Sequence, residues 1–271
     1  MNLLSLLAYS CPLILCSLGA LFSEYAGCLA LFLDGLVSFS AFLHYAFTVY
    51  TGSPVAAVFL ACLTSMLITA GFSLVVEKFG ANRFIAAMAM NLLFGALTSA
   101  LSWMLFRTRG VLAVDVYRFS AGAARLATVT GSAVMCALAV IFLRYGRHGL
   151  YIRVAGSDAD VLLAKGVNPA NIRTLSWCIA ALYGSLAGCF LGLRLSSFVP
   201  NISSGRGWMA LAAVFLGRKK PVRIIISVLI FCFADILAAN IQNYIQGIPN
   251  SLLISLPYLV SLILILPQSR S

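Results

Sequence analysis

Eight apolar stretches follow one another along this chain with only short charged breaks between them: 3–22, 29–50, 55–76, 84–106, 126–143, 174–193, 224–241 and 251–267. A helix needs about 20 apolar residues to cross the hydrocarbon core of a bilayer, and each stretch is close to that length. Inside that core backbone polar groups must be satisfied within the protein, which confines stretches like these to helix. A ninth piece, 208–217, is too short to cross fully at about 1.5 Å per residue. It predicts a half-helix or re-entrant segment, tolerated only where protein shields its ends. The expected fold class is all-α: a polytopic integral membrane protein of about eight transmembrane helices plus one short segment, forming a single domain over 1–271. Composition agrees, with 62% hydrophobic and 9% charged residues against about 25% charged in soluble domains.

The longest polar run, Arg144–Arg173, reads RYGRHGLYIRVAGSDADVLLAKGVNPANIR and sits between two of the apolar stretches. Its excess of basic residues places it on the cytoplasmic side. Alternation then puts Glu77–Arg83, Arg218–Arg223 and the C-terminal tail on that side too, with twelve of the eighteen Lys and Arg residues. The other side receives Arg107, Arg109, Arg118, Arg125, Arg194 and Arg206. The N-terminus comes out external provided the short ninth piece returns the chain to the cytoplasm. No basic residue precedes the first apolar run and no A-x-A site follows it, so Leu3–Leu21 reads as a retained helix rather than a signal peptide. Arg107, Arg109, Arg118 and Arg125 share one external loop region with a single acid, Asp115. They suit lipid headgroups, and equally a docking surface for an acidic external partner, since complementary charge orients protein encounters.

Several chemistries are disfavoured. The formal charge of +11 punctuates apolar segments rather than forming one basic face, so a nucleic-acid partner is not expected. The eight cysteines lie in or beside apolar segments without a CxxC pair, as small packing residues do. Two histidines, His44 and His148, are poor material for a metal site. The chain has no GxxxxGK[ST] phosphate loop, no HExxH and no GxSxG. Gly205-Arg206-Gly207 is a turn, and Asn201-Ile202-Ser203 fits the glycosylation pattern by chance. No catalytic residues, cofactor or metal are expected.

Polar groups inside the spans are the candidates for a solute pathway, because a charge at a helix centre costs about 2.5–3.5 kcal/mol unless it faces protein or water. Asp235 meets that description, as substrate contact or gate on one reading and as a buried pair with a basic neighbour on the other. Gln242 and Gln246 fall near its face at helical spacing, where amides bind a polar solute or neighbouring helices. Asn91 lies mid-span as the leading early pathway candidate, while Asn82 reads as a helix cap. Tyr183 and Trp208 suit stacking on a planar solute or ordinary packing. Gly184, Ser185, Ala187 and Gly188 predict close helix contact.

An ordered set of local patterns runs through nearly the whole chain: LFSEYAG (Leu21–Gly27), LDG (Leu33–Gly35), TGSP (Thr51–Pro54), GAN (Gly80–Asn82) and MNLL (Met90–Leu93), then SLAG (Ser185–Gly188), GRGWMALAAVFLGR (Gly205–Arg218), FCFAD (Phe231–Asp235) and LPYLVSLILIL (Leu256–Leu266). This order resembles the permease subunits of bacterial ATP-binding-cassette (ABC) importers, in the branch handling nucleosides, simple sugars and related vitamins, with the branched-chain amino acid permeases as relatives. The resemblance implies a bacterial inner-membrane importer for a small polar solute, nucleoside first and riboflavin-like vitamin or simple sugar next. It also implies a cytoplasmic ABC ATPase subunit supplying the energy, a second permease chain (identical or homologous) and an external solute-binding lipoprotein.

Within the polar run, Arg153, Gly156, Ala164, Gly166 and Asn168 match the coupling segment of that family. The local physics agrees, because Asp158 and Asp160 suit a helix N-terminus, Val161, Leu162 and Leu163 give it an apolar side, and Gly166 and Pro169 stop it. Departures exist: the family's Asn-Ile-Gly-Leu-Glu-Gly stands here as Ala30-Leu31-Phe32-Leu33-Asp34-Gly35, and three apolar residues replace small and acidic ones at 161–163. A secondary transporter or a membrane scaffold without transport are the alternatives from other classes.

Overall fold

The computed structural model describes residues 3–244. Among them the regular structure is helical: α1 (Leu3–Tyr25), α2 (Leu33–Thr51), α3 (Pro54–Phe79), α4 (Arg83–Phe106), a 3-10 turn (Asp115–Tyr117), α5 (Ala121–Tyr145), α6 (Arg147–Ser157), α7 (Ala159–Ala164), α8 (Pro169–Leu195), α9 (Arg206–Leu216) and α10 (Pro221–Tyr244). Six helices, α1, α3, α4, α5, α8 and α10, are long and apolar enough to cross a bilayer. The protein is therefore a multi-pass membrane protein. The expected span at 251–267 lies outside the described residues.

The expected span at 29–50 is where sequence and structure part. The chain runs without helix from Cys28 to Ala30, α2 begins only at Leu33, and it is not apolar enough to count among the six. Its place explains why. α2 packs against α3, α4, α8 and α9, and His44, Thr48, Ser38 and Ser40 lie on it fully or almost fully buried. A helix wrapped by other helices needs no lipid-compatible surface, so its composition falls below that of a lipid-facing span. Thr48 and Ser40 turn their hydroxyls back to the carbonyls of His44 and Val37, leaving no polar atom of theirs unpaired.

Helix association in a bilayer has little hydrophobic driving force and depends on close packing of small residues. α8 supplies them. A Cβ added at Gly188 would collide with Val37 O and Ser40 Oγ of α2, and one at Gly184 would press on Leu33 and Leu36. Fully buried Trp177 completes the seam, donating from Nε1 to Cys28 O at 2.9 Å and meeting Phe32 edge-on at 5.5 Å between centroids. Such an aromatic pair adds about 0.5–1.5 kcal/mol beyond its buried area.

The short links are set by residues at helix starts. Ser53, Asn82, Ser120 and Asn168 each accept a hydrogen bond from the first turn of the helix that follows, satisfying donors that have no partner inside the helix. Asn82 is thus the cap expected of it. These caps also start α5 and α8 earlier, at Ala121 and Pro169, than the apolar stretches at 126 and 174 suggest, because a capped first turn extends beyond the lipid-compatible residues.

At one end of the bundle the loop 107–120 is pinned over α2. Leu112 and Phe198 exchange backbone hydrogen bonds at 2.9 Å, and buried Tyr117 inserts against His44, Tyr45 and Phe119. His44 Nε2 faces Pro54 O, which only accepts, so Nε2 carries the proton and Nδ1 accepts from the Tyr117 hydroxyl at 2.6 Å. Burial pushes the Tyr117 phenol well above its usual range, which keeps it a donor. At the other end Glu77 of α3 binds Arg83 of α4 through both oxygens, at 2.6 and 3.2 Å, and lies 3.9 Å from Arg173 of α8. Lys219 ion-pairs with Glu24 of α1 at 2.8 Å at this same end. The short ninth piece therefore does return the chain to the side of Glu77–Arg83 and the polar run, as the expected topology requires.

Gly188→Ala is expected to lower the thermal midpoint of the purified protein in detergent, since overpacking costs about 1–3 kcal/mol. Gly71→Ala, with open space around it, is expected to leave the midpoint in place.

Candidate functional site

Two helices begin inside the bundle, and a helix start inside a bundle leaves N–H groups that no water reaches. The start of α2 lies beside Asn91, well within α4, and Asn91 Oδ1 accepts from Gly35 N at 2.6 Å. The start of α9 lies beside Asp34, whose Oδ1 accepts from Gly207 N at 3.1 Å and from Ser203 Oγ at 2.5 Å. Asp34 is itself in the first turn of α2. One carboxylate thus stands at the positive ends of two helices, where negative charge is favoured. The approach is close enough that a Cβ at Gly35 would strike Asn91 O, and one at Gly207 would strike the Asp34 backbone.

Beside this junction a cleft of about 460 Å³ opens along α4. Asp34, Gly35 and Ser38 of α2 form one wall, and Asn91, Gly95, Thr98, Ser99 and Ser102 of α4 form another. Pro200 and Asn201, in the irregular segment that leads into α9, close a third side together with Phe198, and Arg109 stands at the end nearer the loop 107–120. The α4 residues recur at three- and four-residue steps, so they share one face. Their side chains are small, which leaves the space, and most carry a hydroxyl or amide.

Asn91 is therefore placed at a polar cleft, and it also caps Gly35. Ala30 and Phe32, where the chain departs from the resembled pattern, are buried and not in the cleft lining, whereas Asp34 and Gly35 are. Asp235 is not part of this lining. It accepts from Tyr9 Oη at 3.3 Å, and Tyr9 in turn accepts from Arg206 Nη2 at 3.4 Å. Arg194 and Arg206 both place their guanidinium groups over the Tyr9 ring, at 5.5 and 5.8 Å. Asp235 is half-buried, and Tyr9 stands between it and Arg206, so the link to a basic neighbour runs through the phenol. Arg206 is not an external loop charge; it sits on the first turn of α9 and donates to Ile202 O and Ser203 O. Gln242 falls on the last turn of α10, and Gln246 lies outside the described residues. Tyr183 is buried, donating to Met135 O at 2.9 Å, while Trp208 is partly exposed.

The polar run folds as two consecutive helices. Asp158 accepts from Asp160 N at 3.0 Å and starts α7; Gly166 ends it with φ +73°, a conformation that costs other residues about 1–2 kcal/mol. Leu162 is buried while Val161 and Leu163 are exposed, and Asp158, Asp160 and Ala164 are exposed beside them. Asn168 caps α8. The preceding helix, α6, was not legible as a helix among its charges, although Gly149, Ile152 and Ala155 recur at three-residue steps and are its buried face. Arg153 staples α6 to its neighbours, donating to Leu143 O and lying 5.5 Å from the Tyr25 ring centre. Gly156 touches the turn after α1 so closely that a Cβ would strike Tyr25 O.

The four arginines expected on the external side stand at or near the loop 107–120, at the opposite end. Arg107 lies over Trp103 at 5.3 Å, Arg109 reaches the cleft, Arg118 pairs with Asp115 at 3.2 Å in full exposure, and Arg125 is exposed near the start of α5. Asp34 and Ser203 are the residues that sequence reasoning missed as site candidates. Asp34 was an acid beside an apolar run, but it fell near the edge of an expected span and so did not register as intramembrane.

The chain is 28% identical over 95% of its length, and 88% of the relative's, to the guanosine ABC transporter permease protein NupQ of Bacillus subtilis. It is 24% identical over 96% of its length, and 90% of the relative's, to the nucleoside ABC transporter permease protein NupC of Lactococcus lactis. The ribose import permease protein RbsC of Escherichia coli is 30% identical over 44% of this chain and 40% of its own. The solved structure of PsaBC from Streptococcus pneumoniae in complex with Fab shares the fold, with a TM-score of 0.59 at 15% identity over 96% of this chain and 88% of that one. Residues 2–266 match the model of the branched-chain amino acid transport system permease component, and the chain belongs to that family.

Proposed function

We propose that this chain is the membrane-spanning permease subunit of an ATP-driven ABC importer that carries a nucleoside, or failing that a simple sugar, into a bacterial cell across the inner membrane. The observation that carries the reading is the family match over residues 2–266, together with full-length relatives that are guanosine and nucleoside permeases. The whole chain acts as one permease domain, with 144–173 as its coupling loop. A cytoplasmic ATPase subunit supplies ATP hydrolysis and docks on α7, where exposed Val161 and Leu163 follow the acids Asp158 and Asp160, an apolar ridge suited to a partner's groove. A second permease chain faces the open side of the cleft at α4. An external solute-binding lipoprotein docks over Arg107, Arg109, Arg118 and Arg125, and acidic groups on it complement them.

The contacts support a route for the motion. Gly156 of α6 abuts the turn after α1, and Tyr25 at the end of α1 donates to Lys219 O at 2.5 Å, just past α9. Pushing α6 and α7 therefore bears on the segment before α2 and the segment after α9, the two helices that meet at Asp34. Asn91, Asp34 and Ser38 line the solute's path, and Asp235 steadies α10 against α1 and α9.

The decisive experiment is purification of the tagged chain from its native membrane followed by uptake in proteoliposomes. An ATPase subunit is expected to co-purify and uptake of radiolabelled guanosine or ribose to require ATP; uptake driven by an ion gradient without an ATPase would make the chain a secondary transporter. Gly166→Pro is expected to abolish uptake with the chain still inserted, because proline cannot take positive φ and lacks the N–H that binds Leu163 O. Charge reversal at Arg107 and Arg109 is expected to weaken lipoprotein binding most at low salt, where exposed charges are least screened.

A further inference from the structure

We propose that Asp34 makes the cleft selective for neutral or cationic hydrogen-bond donors and closes it to anions. The proposal rests on the transport reading above for its physiological meaning, though not for its charge test. Helix starts that face a cavity ordinarily attract anions, through their free N–H groups and dipole. Here two such starts converge, and the chain fills them itself. Gly207 N–H is taken by Asp34 Oδ1 and Gly35 N–H by Asn91 Oδ1.

Asp34 Oδ1 also accepts from Ser203 Oγ. Among the described residues its second oxygen, Oδ2, has no hydrogen-bond partner, while Asp34 lines the cleft. A carboxylate oxygen only accepts, so what meets it there must donate: a sugar hydroxyl or a base N–H. Asp34 and Arg109 are the two charged side chains of the lining, and they stand toward different ends. Arg109 lies where the loop 107–120 meets the cleft, and Asp34 lies at the interior junction. A phosphorylated or carboxylate-bearing solute is drawn to the first and repelled at the second, whereas a nucleoside or sugar passes both. Charge in a walled cleft alters local ion concentration by about tenfold or more, which sets the size of the effect.

Gly95 offers a reporter position, since it lines the cleft with open space around it. In the Gly95→Cys chain, purified with whatever subunits accompany it, the cationic 2-aminoethyl methanethiosulfonate is expected to react about tenfold faster than the anionic 2-sulfonatoethyl reagent. Both rates are normalised to a free thiol and corrected for the parent chain. Equal rates, or a faster anion, would overturn the proposal whatever the chain transports.

Adding Asp34→Asn tests the residue. Asparagine keeps one oxygen for Gly207 and Ser203 and turns an N–H₂ toward the cleft, so the fold is retained and the preference is expected to fall to near one; a preference that persists in the folded variant would overturn the role of Asp34. If the variant does not fold, the parent ratio still decides the charge selection. In uptake assays the same variant is expected to raise the KM for guanosine, a neutral probe, about tenfold, as befits a lost hydrogen bond to a charged group. No guanosine or ribose uptake by the unmodified chain would overturn the transport reading and leave the reagent ratio to judge the charge selection.

Discussion

The carboxylate of Asp34 joins the starts of two helices, and the rest of the interior is arranged around that fact. A helix that begins at a membrane surface gives its first N–H groups to water. One that begins inside a bundle must find acceptors there or lose about 1–3 kcal/mol for each buried group left unpaired. α2 and α9 both begin inside, and Asp34 and Asn91 supply acceptors to each in turn. The glycines follow from the same need: Gly35 and Gly207 are the points where backbones must come close enough for those side chains to reach. The cleft is the space left where three segments approach a junction that cannot be filled by apolar side chains.

Two ends of different character enclose this junction. At one, Glu77 gathers Arg83 and Arg173 while Glu24 holds Lys219, so the ends of α3, α4 and α8, and those of α1 and α9, are tied by charge. At the other, the ties are aromatic and backbone: Tyr117 under His44, and Leu112 paired with Phe198. Charged ties suit an end in water, and their rearrangement is graded by small shifts of long side chains. A packed aromatic plug is closer to all or none, because dense interiors move between discrete arrangements. The two ends are thus mechanically unlike.

The resembled coupling pattern also acquires a physical content. Gly156 is needed where α6 touches the turn after α1, Gly166 where the chain turns at positive φ, Asp158 and Asn168 where helices start. These residues hold the segment's shape. The exposed surface is made instead by Val161, Leu163 and their acidic neighbours, which is where this chain departs from the pattern.

By itself the sequence determined that the chain lives in a membrane, that most of its long apolar stretches among the described residues are helical, and that the short GRGWMALAAVFLG piece does not span like the others. Those follow from length, apolarity and the obligation to satisfy backbone groups within each segment, all local properties. It also marked where the short helix of the polar run starts and stops, because Asp158, Gly166 and Pro169 are start and stop signals readable within a dozen residues. Only the tertiary structure decided that Asp34 lies at the interior junction and that Asp235 is bound through Tyr9 to Arg206. The reason is that depth and partnership are set by residues far apart in the chain: Asp34 meets Ser203 and Gly207, and Tyr9 meets Asp235, across separations that no periodicity records. An acid in an apolar run announces that it needs a partner; which helix supplies one is a property of the packing.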